Sequence, residues 1–219
     1  MIGTETLLRR EEVYHCLRRD ILDCALPPGT ELHEPELAER FAISKSPIRD
    51  ALLRLEAERL VVVRPRKGYK VAPVSLSDAR DLFEFRALIE QVCVINAAGN
   101  ASESALKGLD RFRSLGAAGE PSRFIVYNRG FHLAIAKLCD NRRIAQTGAG
   151  LIEQFDRLVI VSVKQLAKEE VAALIAEHSQ IIDALQARAG KRAARLISAH
   201  IGRARRRVLS ALSQAAIVS

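Results

Sequence analysis

Apolar residues recur at helical spacing along the first third of the chain. Val13, Leu17 and Ile21 follow one another at four-residue steps, with Arg18, Arg19 and Asp20 outside that face, and predict a first helix over Leu7 to Cys24. Leu26-Pro27-Pro28-Gly29 stops it, because neither proline continues a helix and the glycine supplies a turn. A second short helix is expected over Leu32 to Phe41, with Pro35 near its start and Leu37, Ala38 and Phe41 facing inward. After a tight turn at Ala42-Ile43, a third runs from Ser44 to Glu56. Ser44 can cap it, Pro47 fits its first turn, and Ile48, Leu52 and Leu55 form its buried face. Lys45, Ser46, Arg49 and Arg54 project elsewhere.

The period then changes from helical to alternating. Val61-Val62-Val63 is a β-branched run, Arg64-Pro65-Arg66-Lys67-Gly68 is a turn, and Tyr69-Lys70-Val71 returns as a second strand. Ala72-Pro73-Val74-Ser75 reads as a proline-marked connection. Every later segment is helical in pattern: Asp78 to Ala97 with Leu82, Phe85, Ile89 and Val92 on one face, then Ser102 to Leu115, stopped by Gly116-Ala117-Ala118-Gly119. Pro121 to about Cys139 follows, then Arg142 to about Lys168 with a possible break near Gly148 and Gly150, then Glu169 to Ala189 and Gly190 to about Ser213. The fold class expected is mainly α: a helix-turn-helix with a β-hairpin over residues 1–72, a linker over 73–76, and an all-α bundle of six or so helices over 77–219.

Charge changes this picture by its distribution. The chain carries +8 overall, but residues 1–39 hold 4 Lys/Arg against 9 Asp/Glu, whereas residues 40–70 hold 9 against 3. A basic stripe therefore starts at the third helix and runs to the hairpin, where a polyanion-binding surface would need it. A second block, Arg188 to Arg207, has 8 basic residues and no acid, and is read as a solvated helix face. Cys16, Cys24, Cys93 and Cys139 are scattered without a C-x-x-C pair, so buried thiols in a reducing compartment are expected in place of zinc spacing or disulfides. No apolar run reaches bilayer length and the N-terminus lacks a signal-peptide core, so a cytoplasmic protein without membrane contact is expected.

A short helix that buries one side and presents cations and hydroxyls at its N-terminal end suits the DNA major groove; a surface helix of a small bundle is the plainer alternative. Leu26-Pro27-Pro28-Gly29-Thr30, Glu36-Leu37-Ala38, Ser44-Lys45-Ser46-Pro47-Ile48-Arg49-Asp50-Ala51-Leu52 and Arg66-Lys67-Gly68-Tyr69 together resemble the N-terminal winged helix of GntR-family bacterial transcription regulators. The resemblance implies a homodimer on a palindromic operator in double-stranded DNA, with a recognition helix in the major groove and a wing tip in the minor groove. Carried over by position, the contacts are Ser44, Lys45, Ser46, Arg49, Arg66, Lys67 and Gly68, with Arg54 included on charge. Lys45 replaces the more usual arginine. An ammonium is a point charge without the planar fork, so Arg49 is the better candidate for reading a base.

The helical half resembles the FCD effector domain of the FadR subfamily. Asn128 and His132 lie four apart on one expected helix, and His178 and His200 are about equally far from the Ala189-Gly190 turn, which would bring them level in an antiparallel hairpin. Three imidazoles and an amide oxygen would suit a divalent metal, Zn or Ni; hydrogen-bonded core histidines are the alternative that spacing leaves open. The resemblance supports a metal, although its first position is usually Asp and here is Asn128. It further implies a small organic acid bound beside the metal, with Arg86 and Asn141 as effector-binding residues; Arg86 could instead bridge to Glu90, and Asn141 could be a C-cap. The function expected is an effector-responsive transcription regulator, a repressor, and not an enzyme. A metal-dependent hydrolase, with Glu177 as the nearest general base, and an architectural DNA-binding protein without a ligand are the competing readings.

Overall fold

The computed structural model describes residues 2–115, 121–163 and 168–218, which divide into two compact units, Met1–Val74 and Ser75–Ser219. The first unit contains α1 (Ile2–Leu22), β1 (Glu31–Leu32), α2 (Glu34–Arg40), α3 (Lys45–Ala57), β2 (Val61–Arg64) and β3 (Gly68–Val71). Leu17 and Ile21 of α1 and Ile48, Leu52 and Leu55 of α3 are wholly buried, so the helical periodicity read from the sequence is the core of this unit. Helix α1 stops two residues earlier than expected. Cys24 takes a left-handed conformation (φ 55°), and the Leu26 amide donates to the Asp20 carbonyl, closing the helix end before the prolines are reached.

The sheet has a third strand that the sequence reading placed in a helix. Leu32 pairs with Tyr69, so β3 is central in the order β1-β3-β2, antiparallel on both sides, and α2 begins only at Glu34. Burying Leu32 against the core favours the extended register, and Pro35 is then accommodated in the first turn of α2. Gly68 has φ 90°, and a Cβ there would come within 2.8 Å of the Leu32 carbonyl oxygen, so the wing closes onto β1 only with glycine. Ser44 occupies the cap position of α3 with extended backbone, but its hydroxyl makes no cap bond. At the other end of α3, Glu58 accepts from the Tyr14 hydroxyl and from Arg18 Nε (2.7 Å), fastening α3 to α1.

The second unit contains α4 (Leu76–Asn100), α5 (Glu103–Lys107), a 3-10 turn (Gly108–Phe112), α6 (Pro121–Lys137), α7 (Arg142–Gln154), α8 (Asp156–Val163), α9 (Lys168–Gln186) and α10 (Gly190–Val218). Helix α4 starts from Ser75, whose hydroxyl accepts from the Asp78 amide. Its buried face differs from the one expected: Phe85 (45% exposed) and Val92 (44%) lie outside, while Ala79, Phe83, Arg86, Glu90, Cys93 and Ala97 are inside. A charged pair can occupy this face because Arg86 and Glu90 bond to each other one turn apart.

The helix expected over Ser102 to Leu115 is short and runs into the 3-10 turn at Gly108; the glycine stop at residues 116–119 lies outside the described residues. The break near Gly148 and Gly150 falls instead at Phe155. Gly148 serves close packing, since a Cβ there would lie 3.2 Å from Ile89 Cγ2. Helices α9 and α10 form a hairpin closed by Arg188 in a left-handed conformation (φ 58°) and by the Ala189 amide on the Ala184 carbonyl. Cys93 and Cys139 are buried, and burial pushes the Cys93 thiol up to about 12, whereas Cys16 and Cys24 are only half-buried, so the expectation of four buried thiols holds for two. None of the described helices is long and apolar enough to cross a membrane.

Leu55 is wholly buried where α3 meets the core, and Leu55→Ala is expected to lower unfolding stability by roughly 2–5 kcal/mol, measured by denaturant titration following the first unit. Leu53→Ala, at an exposed position of the same helix, should change it little.

Candidate nucleic-acid interface and candidate metal centre

In the first unit, Ser44, Lys45, Ser46 and Arg49 are exposed together on the N-terminal part of α3. Arg66 and Lys67 are exposed at the tip of the β2–β3 wing, with Gly68 half-buried behind them. Arg49 is held side-on by Glu34 through Nε to Oε1 (3.0 Å) and a terminal nitrogen to Oε2 (2.8 Å). Arg54 lies toward α1: it donates to Glu11 (2.6 Å), and its guanidinium stacks 3.7 Å over the Tyr14 ring. Two hydroxyls, one point charge and one planar fork on α3 are thus exposed in the same unit as a cationic hairpin tip, a set that can follow a DNA backbone and read a base.

In the second unit, α6, α9 and α10 each bring one fully buried imidazole to a common point: His132, His178 and His200. One candidate ligand atom from each lies within 4.8 Å of the others. The outer nitrogens are all occupied. His132 Nδ1 is 2.6 Å from Glu90 Oε2, and His200 Nδ1 is 2.7 Å from Glu177 Oε2. His178 Nδ1 is 3.1 Å from the Tyr127 hydroxyl, which gives its own proton to the Phe112 carbonyl (2.5 Å) and therefore accepts from the imidazole. These partners place a proton on each Nδ1 and leave each Nε2 with a lone pair.

Among the described residues, the Nε2 lone pairs meet no donor. His178 Nε2 and His200 Nε2 face each other at 3.2 Å, and His132 Nε2 is buried without a hydrogen-bond partner. Burial lowers the pKa of all three imidazoles, His132 to about 3 and His178 well below the ordinary range, so they are neutral at pH 7. Burial alone would raise the Glu90 carboxyl, but Arg86 and then His132 outweigh it and hold it at about 2. The set consists of three neutral imidazole donors with two carboxylates and a phenol behind them, which is chemistry that fits a divalent cation.

Asn128 lies one turn before His132 and lines the same cavity, together with Arg86, Phe124, His200 and Arg207. The cavity is about 20 Å³, room for one water-sized occupant. Arg86 is wholly buried, bonded to Glu90 (2.5 Å) and stacked on Phe155. Asn141 lies elsewhere: it is exposed, and in place of a C-cap it is the N-cap of α7, its side chain accepting from the Arg143 and Ile144 amides. Three residues that the sequence reading did not single out belong to the site. Glu90 is signalled only by its i,i+4 spacing from Arg86, and Tyr127 by adjacency to Asn128. Arg207 lines the cavity with its Nε buried and unpartnered, burial lowers its pKa, and no sequence signal separates it from its basic neighbours. Glu177, considered above as a general base, is committed to His200 and lies 2.7 Å from Arg203 Nε.

The family model described as bacterial regulatory proteins of the gntR family matches residues 9–71, and the FCD domain model matches residues 81–203. The chain is 29% identical over 195 residues to the HTH-type transcriptional repressor RspR of Escherichia coli K12, covering 87% of this chain and 85% of that one. It is 27% identical over 198 residues to the HTH-type transcriptional repressor GlaR of the same organism, covering 86% and 90%. Among solved structures, E. coli McbR/YncC superimposes with a TM-score of 0.76 at 23% identity over 89% of this chain and 94% of that one. A GntR regulator from Rhodococcus sp. RHA1 gives 0.77 at 23% identity, over 92% and 98%. Both structural likenesses support the fold. An exposed basic reading edge on a winged helix-turn-helix, followed by a helical unit matched by the FCD model, places the chain in the GntR family of bacterial transcription regulators, DNA-binding proteins that are not enzymes.

Proposed function

We propose that this regulator is a repressor that binds a palindromic operator as a homodimer and responds to a small organic acid bound beside a divalent metal in its FCD domain. The observation that carries the metal is the arrangement of partners: each of the three buried imidazoles has its Nδ1 against an oxygen acceptor, which puts the proton there and leaves three Nε2 lone pairs turned inward. A hydrogen-bonded histidine core would need at least one proton between His178 Nε2 and His200 Nε2, and the outer partners deny it. His132, His178 and His200 would hold the ion with the Asn128 carbonyl oxygen as a fourth donor, a nitrogen-and-oxygen set suited to Zn or Ni.

The same donor set argues for an acidic effector. Four neutral ligands leave the charge of a divalent ion uncompensated, and Arg207 adds a cation to the same cavity. A carboxylate would balance that charge and accept from the guanidinium. Arg86, already bonded to Glu90, acts from behind through the Glu90–His132 pair. A cavity of about 20 Å³ has no room for an organic acid, so binding one requires the lining to shift, which is how occupancy would select one conformation over another. The homodimer is supported by Phe85, Leu88, Val92 and Ile95, which form an exposed apolar stripe on α4 at spacings of three and four residues. Residues 1–72 would be the DNA-binding domain and 77–219 the effector and dimerisation domain, acting in the cytoplasm. A ligand-free architectural role is disfavoured by the buried imidazole lone pairs and the unpartnered Arg207 Nε beside them, which a purely structural bundle has no reason to keep.

Protein purified without a nickel column is expected to contain about one divalent ion per chain, with His132→Ala losing it while circular dichroism stays helical; metal-free wild-type protein with intact fold would refute the site. In a thermal-shift screen of small carboxylic acids, at least one should raise the melting midpoint of wild type and not of Arg207→Ala. Arg49→Ala should weaken binding to a selected palindromic duplex about tenfold or more relative to a scrambled one, measured at matched salt by fluorescence anisotropy. With metal removed, stability should fall as pH drops from about 6.5 toward 3. Over that window the unfolded imidazoles take up protons that buried His132 does not, and chelator-treated protein scanned at successive pH values measures it.

A further inference from the structure

Glu34 stands out in the reading head because it is an acid where the partner would be a polyanion. It occupies the first turn of α2, where a carboxylate is favoured by the helix N-terminus. It meets Arg49 at two points, through Nε and one terminal nitrogen. The two partners differ in exposure: the Glu34 side chain is 18% exposed and that of Arg49 is 60%. The acid is the anchored member and the arginine the outlying one. Arg49 holds the Glu34 carboxyl below its usual range, so the pair is ionised at neutral pH.

A guanidinium has five N–H donors along three edges, and the Glu34 contact uses one edge. The edge formed by the two terminal nitrogens is left for a second two-point partner, which matches the O6 and N7 acceptors of guanine in the major groove. An arginine held this way has already lost most of its side-chain freedom before it meets DNA. Glu34 also places a negative charge near the phosphates, which weakens binding to any sequence. One residue thus sharpens sequence discrimination and lowers unspecific affinity together.

We infer that Glu34 is a positioning residue for operator specificity: it clamps Arg49 on one edge so that the adjacent edge, formed by the two terminal nitrogens, is presented to a guanine. This rests on the reading of Arg49 as a base contact. Glu34→Gln keeps the shape of the side chain and removes the charge and one acceptor, and Arg49 then loses its two-point hold.

The test uses the full-length protein and random-sequence duplexes, from which wild type, Glu34→Gln, Arg49→Ala and the double variant each select their preferred sites. Binding of each protein to the wild-type palindrome and to a scrambled duplex is then titrated at fixed salt. Base preference is read from the bound fraction and does not depend on how much protein is folded. Glu34→Gln is expected to relax preference at the one position per half-site that Arg49→Ala also relaxes. It should lower the palindrome-to-scrambled affinity ratio about tenfold while scrambled binding stays equal or tightens, and in the Arg49→Ala background it should change the ratio no further. If Glu34→Gln tightens both duplexes alike with base preference intact, the acid is only a repulsive charge and the inference is overturned. Weakened binding to both duplexes with unchanged preference marks a structural role and overturns it as well. An unchanged base preference in Arg49→Ala would instead remove the Arg49 reading itself, whereas a relaxed Arg49→Ala beside an unrelaxed Glu34→Gln removes only the role of Glu34.

Discussion

Burying Arg86 and Glu90 on the inner face of α4 is the commitment on which the second unit depends. Taking two ions out of water is expensive unless they are paired and their remaining hydrogen-bonding capacity is used. Here the carboxylate has one oxygen on Arg86 and the other on His132, so the pair becomes a chain that ends at an imidazole. That chain determines which nitrogen of His132 carries the proton, and thereby turns a lone pair toward His178 and His200. The same burial decides which side of α4 faces outward, leaving Phe85, Leu88, Val92 and Ile95 in a row on the outside. Site and surface stripe are two consequences of one helix rotation.

The imidazoles are kept neutral by the same packing. Phe131 stacks on His178 at 3.9 Å between centroids, and His132 and His200 stand 5.3 Å apart with their rings stacked. An apolar enclosure disfavours the protonated form, and two carboxylates and a phenol take up the outer N–H groups. Lone pairs that are neutral, buried and close together are costly without a cation between them.

The reading head follows a different economy. Its core is plain: leucine, isoleucine and valine from α1, α3 and the sheet, with few polar groups inside. What must be specific is placed outside on rigid elements. Gly68 lets the wing close against β1, Glu58 ties α3 to α1, and Glu34 holds Arg49. Each contact limits how far an exposed cation can wander before it meets DNA, and none of them requires burial of a charge.

Much of this was legible in the residues. Four-residue apolar steps, prolines at turns and the charge jump at residue 40 specify the helix-turn-helix, the wing and their basic edge, because local periodicity and turn chemistry act within a few residues of one another. The spacing of His178 and His200 about the Ala189-Gly190 turn likewise places two imidazoles level, since a hairpin of helices is a local object. The sequence did not determine which face of α4 is inside, because Leu82, Phe85, Ile89 and Val92 make a more apolar stripe than the face that is buried. Arg86 one turn away and the imidazole on α6 together make a buried Glu90 worth its cost. Nor could it show that Leu32 belongs to a strand, that Asn141 caps a helix away from the cavity, or that Arg207 alone among its basic neighbours lines the site. Those depend on contacts between residues far apart in the chain, and tertiary packing decides them.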